Sequence, residues 1–259
     1  MEEYILVIAV SFLASCFTFF SGFGLGTLLT PVFLLFFPVS IAIGMTGIVH
    51  FCNNIFKLTL IGKYADKEVV IKFGIPSIIG AILGAFLLLK LTNIAPLYSY
   101  DFFHLHANIS LLKIIIGIAI IIFTIIDLLP TQFDFTNKPY SFTIGGFLSG
   151  FFGGLSGNQG ALRSMFLIKT LNQKEVYIAT GIVIACLVDV TRIGLYSKFF
   201  INNTWEPRTI NMLICAIIAA LSGAILGNKL LHKIKLKFVQ NIVTIGLILI
   251  AIGLISGII

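Results

Sequence analysis

The chain has 259 residues, of which 58% are hydrophobic and only 10% charged. A soluble domain carries about 25% charged residues, so a folded body with a water-facing surface is excluded. The formal charge of +7 is not a nucleic-acid footprint either, because the basic residues sit between apolar runs and form no basic or aromatic-basic stripe.

Taken in order, the apolar runs are 5–20, 41–61, 69–91, 111–129, 142–155, 176–195, 210–230 and 238–259. A hydrocarbon core about 30 Å thick needs roughly 20 helical residues, so most of these runs can cross it. Their continuity, without the alternation of a barrel strand, selects helices. The first run contains Leu13-Ala14-Ser15-Cys16, a resemblance to a lipoprotein cleavage box, but it is preceded by Glu2 and Glu3 where a signal peptide needs positive charge. We therefore read it as a retained first helix. The four cysteines, Cys16, Cys52, Cys186 and Cys215, fall inside apolar runs and read as small buried hydrophobes rather than metal ligands.

After the first run the chain breaks at Ser21-Gly22-Phe23-Gly24-Leu25-Gly26-Thr27 and resumes as the short apolar stretch 28–37. A second break, Gly153-Gly154-Leu155-Ser156-Gly157-Asn158-Gln159-Gly160, precedes the stretch 161–171. Neither stretch is long enough to span alone. Half-helices of this kind point unpaired N–H groups and a positive dipole end into the protein, which suits an anion.

Three motifs recur in the same order. Phe19-Phe20-Ser21-Gly22 is echoed by Phe151-Phe152-Gly153-Gly154, and Thr46-Gly47-Ile48-Val49 with Cys52 by Thr180-Gly181-Ile182-Val183 with Cys186. Gly80-Ala81-Ile82-Leu83-Gly84 returns as Gly223-Ala224-Ile225-Leu226-Gly227, more widely spaced, as an insertion at 200–207 requires. We divide the chain into a first repeat, 1–136, and a second, 137–259. The paired glycines of the third motif predict close helix packing, and duplication itself is typical of carriers that bind substrate between their halves.

If the two short stretches cross, each half has five passes and the halves are inverted; if they re-enter, each has four and the halves are parallel. Assigning the 17 Lys and Arg to sides favours the crossing arrangement with both termini outside. The expected fold is thus an all-α polytopic membrane protein of eight to ten segments, with two inverted repeats and broken or re-entrant half-helices.

Polar residues inside spans are costly and are functional candidates. His50, Asn53, Asn54 and Lys57 share one face of a helix, with Thr46 one turn earlier. Asp189 and Arg192 are spaced to pair in the corresponding second-half helix. Arg163 lies just inside the second short stretch, beside Ser156, Asn158 and Gln159 at its mouth, and a guanidinium at a positive dipole end calls for a compensating anion. The expected substrate-binding set is Arg163, Asn158, Gln159, Ser156, Gly24, Gly26, Thr27, His50, Asn53, Asn54, Lys57 and Arg192. Asp189 and His50 are the ion-pair or coupling candidates. No nucleophile elbow, Walker loop or metal-ligand cluster is present in the sequence, so neither an enzyme nor a cofactor is expected.

The run Gly22-Phe23-Gly24-Leu25-Gly26-Thr27-Leu28-Leu29-Thr30-Pro31, the stretch 42–46 and the loop Lys63-Tyr64 resemble the TauE/SafE sulfite exporter family of membrane permeases. The resemblance spans nearly the whole chain. It implies a permease for sulfite, sulfonates or related small sulfur anions, in a bacterial cytoplasmic membrane, with a homodimer left open. One departure concerns the second break, where Gly157-Asn158-Gln159-Gly160-Ala161-Leu162-Arg163-Ser164 lacks the family's proline and carries an arginine. An alternating-access carrier is the leading reading. A passive anion channel, or a carrier of a small carboxylate or another anion, is the alternative.

Overall fold

A computed structural model describes residues 1–21, 25–102, 105–128, 140–168, 170–171, 173–202, 206–230 and 236–259. Its helices are α1 (Glu2–Ser21), α2 (Leu25–Leu34), α3 (Val39–Ile61), α4 (Lys67–Thr92), α5 (Leu111–Leu128), α6 (Ser141–Ser156), α7 (Gly160–Leu167), α8 (Lys174–Asn202), α9 (Pro207–Leu230) and α10 (Leu236–Ser256). Every apolar run of the sequence is matched by one of these, and the two short stretches by α2 and α7. Among the described residues, four helices are long and apolar enough to cross a membrane: Val39–Tyr64, Lys67–Thr92, Lys174–Ser197 and Pro207–Gly227.

The helices carry the expected two faces. On α4, Ile71, Ile75, Ile79, Ile82 and Phe86 are exposed, while Phe73, Ser77, Ala81, Ala85 and Leu88 are buried. An exposed aliphatic row repeated every turn is a liability in water and the normal lining of a lipid-facing surface. The same division recurs on α9, with Ile210, Ile214 and Ile218 outward and Met212, Ala216 and Ala220 inward. The chain is a multi-pass membrane protein.

One element departs from the all-α expectation. The polar segment after α4 folds into an antiparallel hairpin, β1 (Tyr98–Phe102) and β2 (Leu105–Ile109). It closes the end of α10, where Gly257 takes the left-handed conformation at φ 81°. Asn108 N donates to Gly257 O at 3.0 Å, and Tyr100 Oη to Ser256 O at 2.7 Å. Orphan carbonyls at a helix end are thereby satisfied.

Helix directions follow from which residues meet. α4 and α6 run parallel, since Phe73, Ser77 and Ala81 face Gly146, Gly150 and Gly154 in ascending order. This contact is backbone on backbone: a Cβ on Gly150 would sit 1.9 Å from Ser77 O, and one on Gly84 1.9 Å from Phe151 O. α1 and α9 are also parallel, through Phe12 against Gly223 and Cys16 against Gly227. The recurrent glycine motif therefore performs the same task twice, letting helix backbones touch. α3 and α8 are antiparallel, with Gly47 against Arg192, His50 bonded to Asp189, and Asp66 N donating to Thr180 Oγ1. α5 and α10 are antiparallel as well, Gly117 lying against Ala251 while Asn108, just before α5, meets Gly257 just after α10.

Candidate substrate site

The site lies where the interrupted segments meet α3 and α8. α6 stops at Gly157, which adopts φ 80° and returns its N–H to Gly153 O at 3.1 Å. Only glycine takes this left-handed geometry without strain, so the helix ends here and α7 begins afresh at Gly160. Residues 22–24 of the first interruption, including the candidate Gly24, lie outside the described residues. Beyond it, α2 opens at Leu25 and contains Pro31, which has no N–H to offer the Thr27 carbonyl. At 10 and 8 residues, α2 and α7 reach only about 15 and 12 Å. Their starting points converge: a Cβ on Gly26 would sit 2.7 Å from Gly157 O.

Asp189 is the centre of the polar cluster. Its side chain is 0% exposed and accepts at both oxygens. His50 Nδ1 lies 2.6 Å from Oδ2, and Asn54 Nδ2 donates to the same oxygen at 3.4 Å. Arg192 Nε donates to Oδ1 at 3.0 Å, and Gln159 Nε2 to Oδ1 at 3.1 Å. Three segments thus converge on one carboxylate: α3 through His50 and Asn54, the α6–α7 connection through Gln159, and α8 through Arg192. Arg192 also donates from Nη1 to Gly153 O at 3.1 Å, and Tyr196, one turn further along α8, donates to Gly154 O. The end of α6 is held in place by these two side chains.

Arg163 occupies the first turn of α7 and is partly exposed. Its Nη1 donates to Gln159 Oε1 at 3.4 Å, and its Nε lies 3.3 Å from where a Cβ on Gly181 would be. Lys57 is buried on the same face of α3 as His50 and Asn54, within electrostatic reach of Arg163. The anticipated face of α3 is therefore real, and its polar residues are inside the protein.

Not every sequence candidate joins this cluster. Asn53 is buried but turns toward α1, where its Oδ1 accepts from Ser15 Oγ at 2.9 Å. Ser156 serves the turn: its Oγ donates to Phe152 O at 2.9 Å and accepts from Asn158 N at 3.4 Å. Thr27 and Gly26 are buried at the start of α2, beside the second interruption. Asn158 is 1% exposed, and neither atom of its amide has a hydrogen-bond partner among the described residues.

Sequence reasoning passed over three participants. Gly47 and Gly181, the equivalent glycines of the repeated Thr-Gly-Ile-Val motif, each receive a guanidinium, from Arg192 and Arg163 respectively. Their recurrence was visible; that small residues opposite long cations make room for them was not drawn from it. Thr30, inside the quoted glycine-proline run, is buried with its hydroxyl unpaired.

Three cationic side chains (Lys57, Arg163 and Arg192) share this region with one carboxylate, Asp189, among the described residues. In a membrane interior a surplus of positive charge is expensive unless something negative accompanies it.

A family model described as sulfite exporter TauE/SafE matches residues 7–254. The chain belongs to the TauE/SafE family. The match covers both interruptions and every cluster residue named above, so the geometry belongs to the family domain and not to an appended segment. No match was found among curated proteins or among solved structures.

Proposed function

We propose that this TauE/SafE protein is a secondary carrier that moves a small sulfur-containing anion, sulfite or an organosulfonate, across a bacterial cytoplasmic membrane by alternating access. The observation that carries the reading is the meeting of two guanidinium groups, the buried Arg192 and the partly exposed Arg163, with one carboxylate, Asp189, where α3, α8 and the α6–α7 connection come together. Membership of the sulfite exporter family supports the choice of sulfur oxyanions within the larger class of small anions.

The helix directions support a two-repeat carrier with inverted halves. If the chain reverses at each helix, α1 and α9 are separated by an even number of reversals when α2 and α7 both count or neither does. α3 and α8 are separated by an odd number only when α7 counts. The parallel pair α1–α9 and the antiparallel pairs α3–α8 and α5–α10 satisfy both conditions, favouring ten short or long passes. They also favour equivalence of 1–136 with 137–259: exchanging the halves exchanges the α1–α9 contact with α4–α6 and returns α3–α8 and α5–α10 onto themselves. Inverted repeats of this type rock about a site at the middle of the membrane.

The test is reconstitution in liposomes. Purified protein is expected to show saturable uptake and counterflow of labelled sulfite or methanesulfonate, and Arg163→Ala to abolish both while leaving expression intact. Transport by that variant at the unaltered rate would remove Arg163 from the site. Currents that do not saturate with substrate would turn the reading toward a channel.

A further inference from the structure

Helical hydroxyls in this protein follow a habit. Thr46, Ser77, Thr92, Thr124 and Thr191 each donate to the carbonyl four residues back, at 2.7 to 2.9 Å. Such back-bonding costs nothing in partners and is the ordinary way to bury a hydroxyl in an apolar helix. Thr30 breaks the habit: it is 0% exposed, lies well inside α2, and its Oγ1 has no partner among the described residues. A buried polar group left this way is costly.

The hydroxyl is turned toward Gly157. The point where a Cβ on Gly157 would lie is 3.1 Å from Thr30 Oγ1 and 3.3 Å from Arg192 Nη1. Arg192 is fully buried and spends Nε on Asp189 and one Nη1 hydrogen on Gly153 O. Its Nη2 lies 2.8 Å from Asp189 Oδ1 but makes no aligned hydrogen bond. Asn158, the next residue along, has both amide atoms buried and unpaired among the described residues. A hydroxyl from α2 and a guanidinium from α8 thus face the glycine where the interrupted segments meet, and a buried, unsatisfied amide follows it in the chain.

We propose that Thr30, Asn158 and the second Nη1 hydrogen of Arg192 form an oxyanion subsite beside Gly157, distinct from the Arg163 corner and holding one anionic head group of the cargo. The assignment rests on the anion-carrier reading and deepens it. The chemistry is that of a sulfite or sulfonate head, whose three oxygens can accept separately from a hydroxyl, an amide N–H and a guanidinium, whereas a carboxylate has oxygens for only two of them. A metal cation is disfavoured by the guanidinium. The missing side chain of Gly157 lets the head group approach the backbone.

The experiment measures binding of sulfite, methanesulfonate and acetate to the detergent-solubilised full chain by calorimetry and by the rise in melting temperature. Thr30→Val, which keeps the shape and removes the hydroxyl, is expected to weaken anion binding about tenfold or more, the effect of losing one hydrogen bond to a charged group. Thr30→Ser is expected to stay near the native affinity, and Asn158→Ala to weaken it comparably, so that either site reports if one variant fails to fold. Native affinity in both Thr30→Val and Asn158→Ala, with Arg163→Gln still impaired, would overturn the subsite and leave the carrier reading standing. Absence of binding of all three anions to the native protein would overturn both. Stabilisation by sodium ions in place of anions, lost in Thr30→Val, would overturn the anionic assignment of this subsite.

Discussion

Arg192 and Arg163 stand in comparable places and do different things. Each lies against the glycine of a Thr-Gly-Ile-Val motif, Arg192 against Gly47 with Cζ at 3.3 Å and Arg163 against Gly181 with Nε at 3.3 Å from the respective Cβ positions. Arg192 is fully buried and fastened to Asp189 and Gly153. Arg163 is partly exposed and holds Gln159 by a 3.4 Å bond. The contrast teaches that the same notch in a helix can seat either a cation fixed by several buried bonds or one held by a single long bond. What decides is the carboxylate: Asp189 sits one turn from Arg192 on its own helix, and α7 offers Arg163 no equivalent.

The largest expected effect breaks the fixed corner. Asp189→Asn removes the charge that Arg192, His50, Asn54 and Gln159 all address, leaving a buried guanidinium uncompensated. Breaking a buried pair from one side costs about 3–5 kcal/mol, so the variant is expected to lose most of its folded yield and to melt well below the native protein. A stable Asp189→Asn protein would mean that the cluster is not a structural clasp. The looser corner predicts the reverse pattern. Arg163→Gln is expected to cut transport and anion affinity at least about tenfold, with a stability change within about 0.5 kcal/mol. Equal damage to fold and transport would erase the distinction.

Much of this was legible in the sequence because membrane physics constrains it tightly. Run length and composition located the helices, since a span must be long and apolar whatever it packs against. The spacing of His50, Asn54 and Lys57 gave the buried face of α3, because a helix has one period. Partner choice was less visible: Asn53 has the same spacing credentials yet pairs with Ser15 on α1, since the rotation of α3 against its neighbours decides which flank looks where. Ser156 was a plausible ligand by position and is absorbed by the turn it helps to build. Thr30 was hidden by the opposite effect. A threonine in an apolar helix ordinarily satisfies itself, and only the orientation of its hydroxyl shows that this one does not.

The smallest effect is the most diagnostic of the two corners, because it compares like with like. Gly47→Ala and Gly181→Ala place the same methyl group in the interior of α3 and α8, where exchanging glycine for alanine gains up to about 1 kcal/mol of helix propensity. Each new Cβ meets its guanidinium at 3.3 Å, close enough that the arginine must retreat by a few tenths of an ångström. Arg163, partly exposed and lightly bonded, can retreat, so Gly181→Ala is expected to be neutral or slightly stabilising while its anion affinity shifts with the displaced guanidinium. Arg192 is held by Asp189 and Gly153 O, so the same methyl is opposed by overpacking of about 1–3 kcal/mol, outweighing the propensity gain. Gly47→Ala is therefore expected to lower the melting temperature and Gly181→Ala to leave it level or raise it. Matching shifts in the two variants would show that Arg163 is as firmly seated as Arg192, and the division of labour between a fixed and a mobile cation would have to be abandoned.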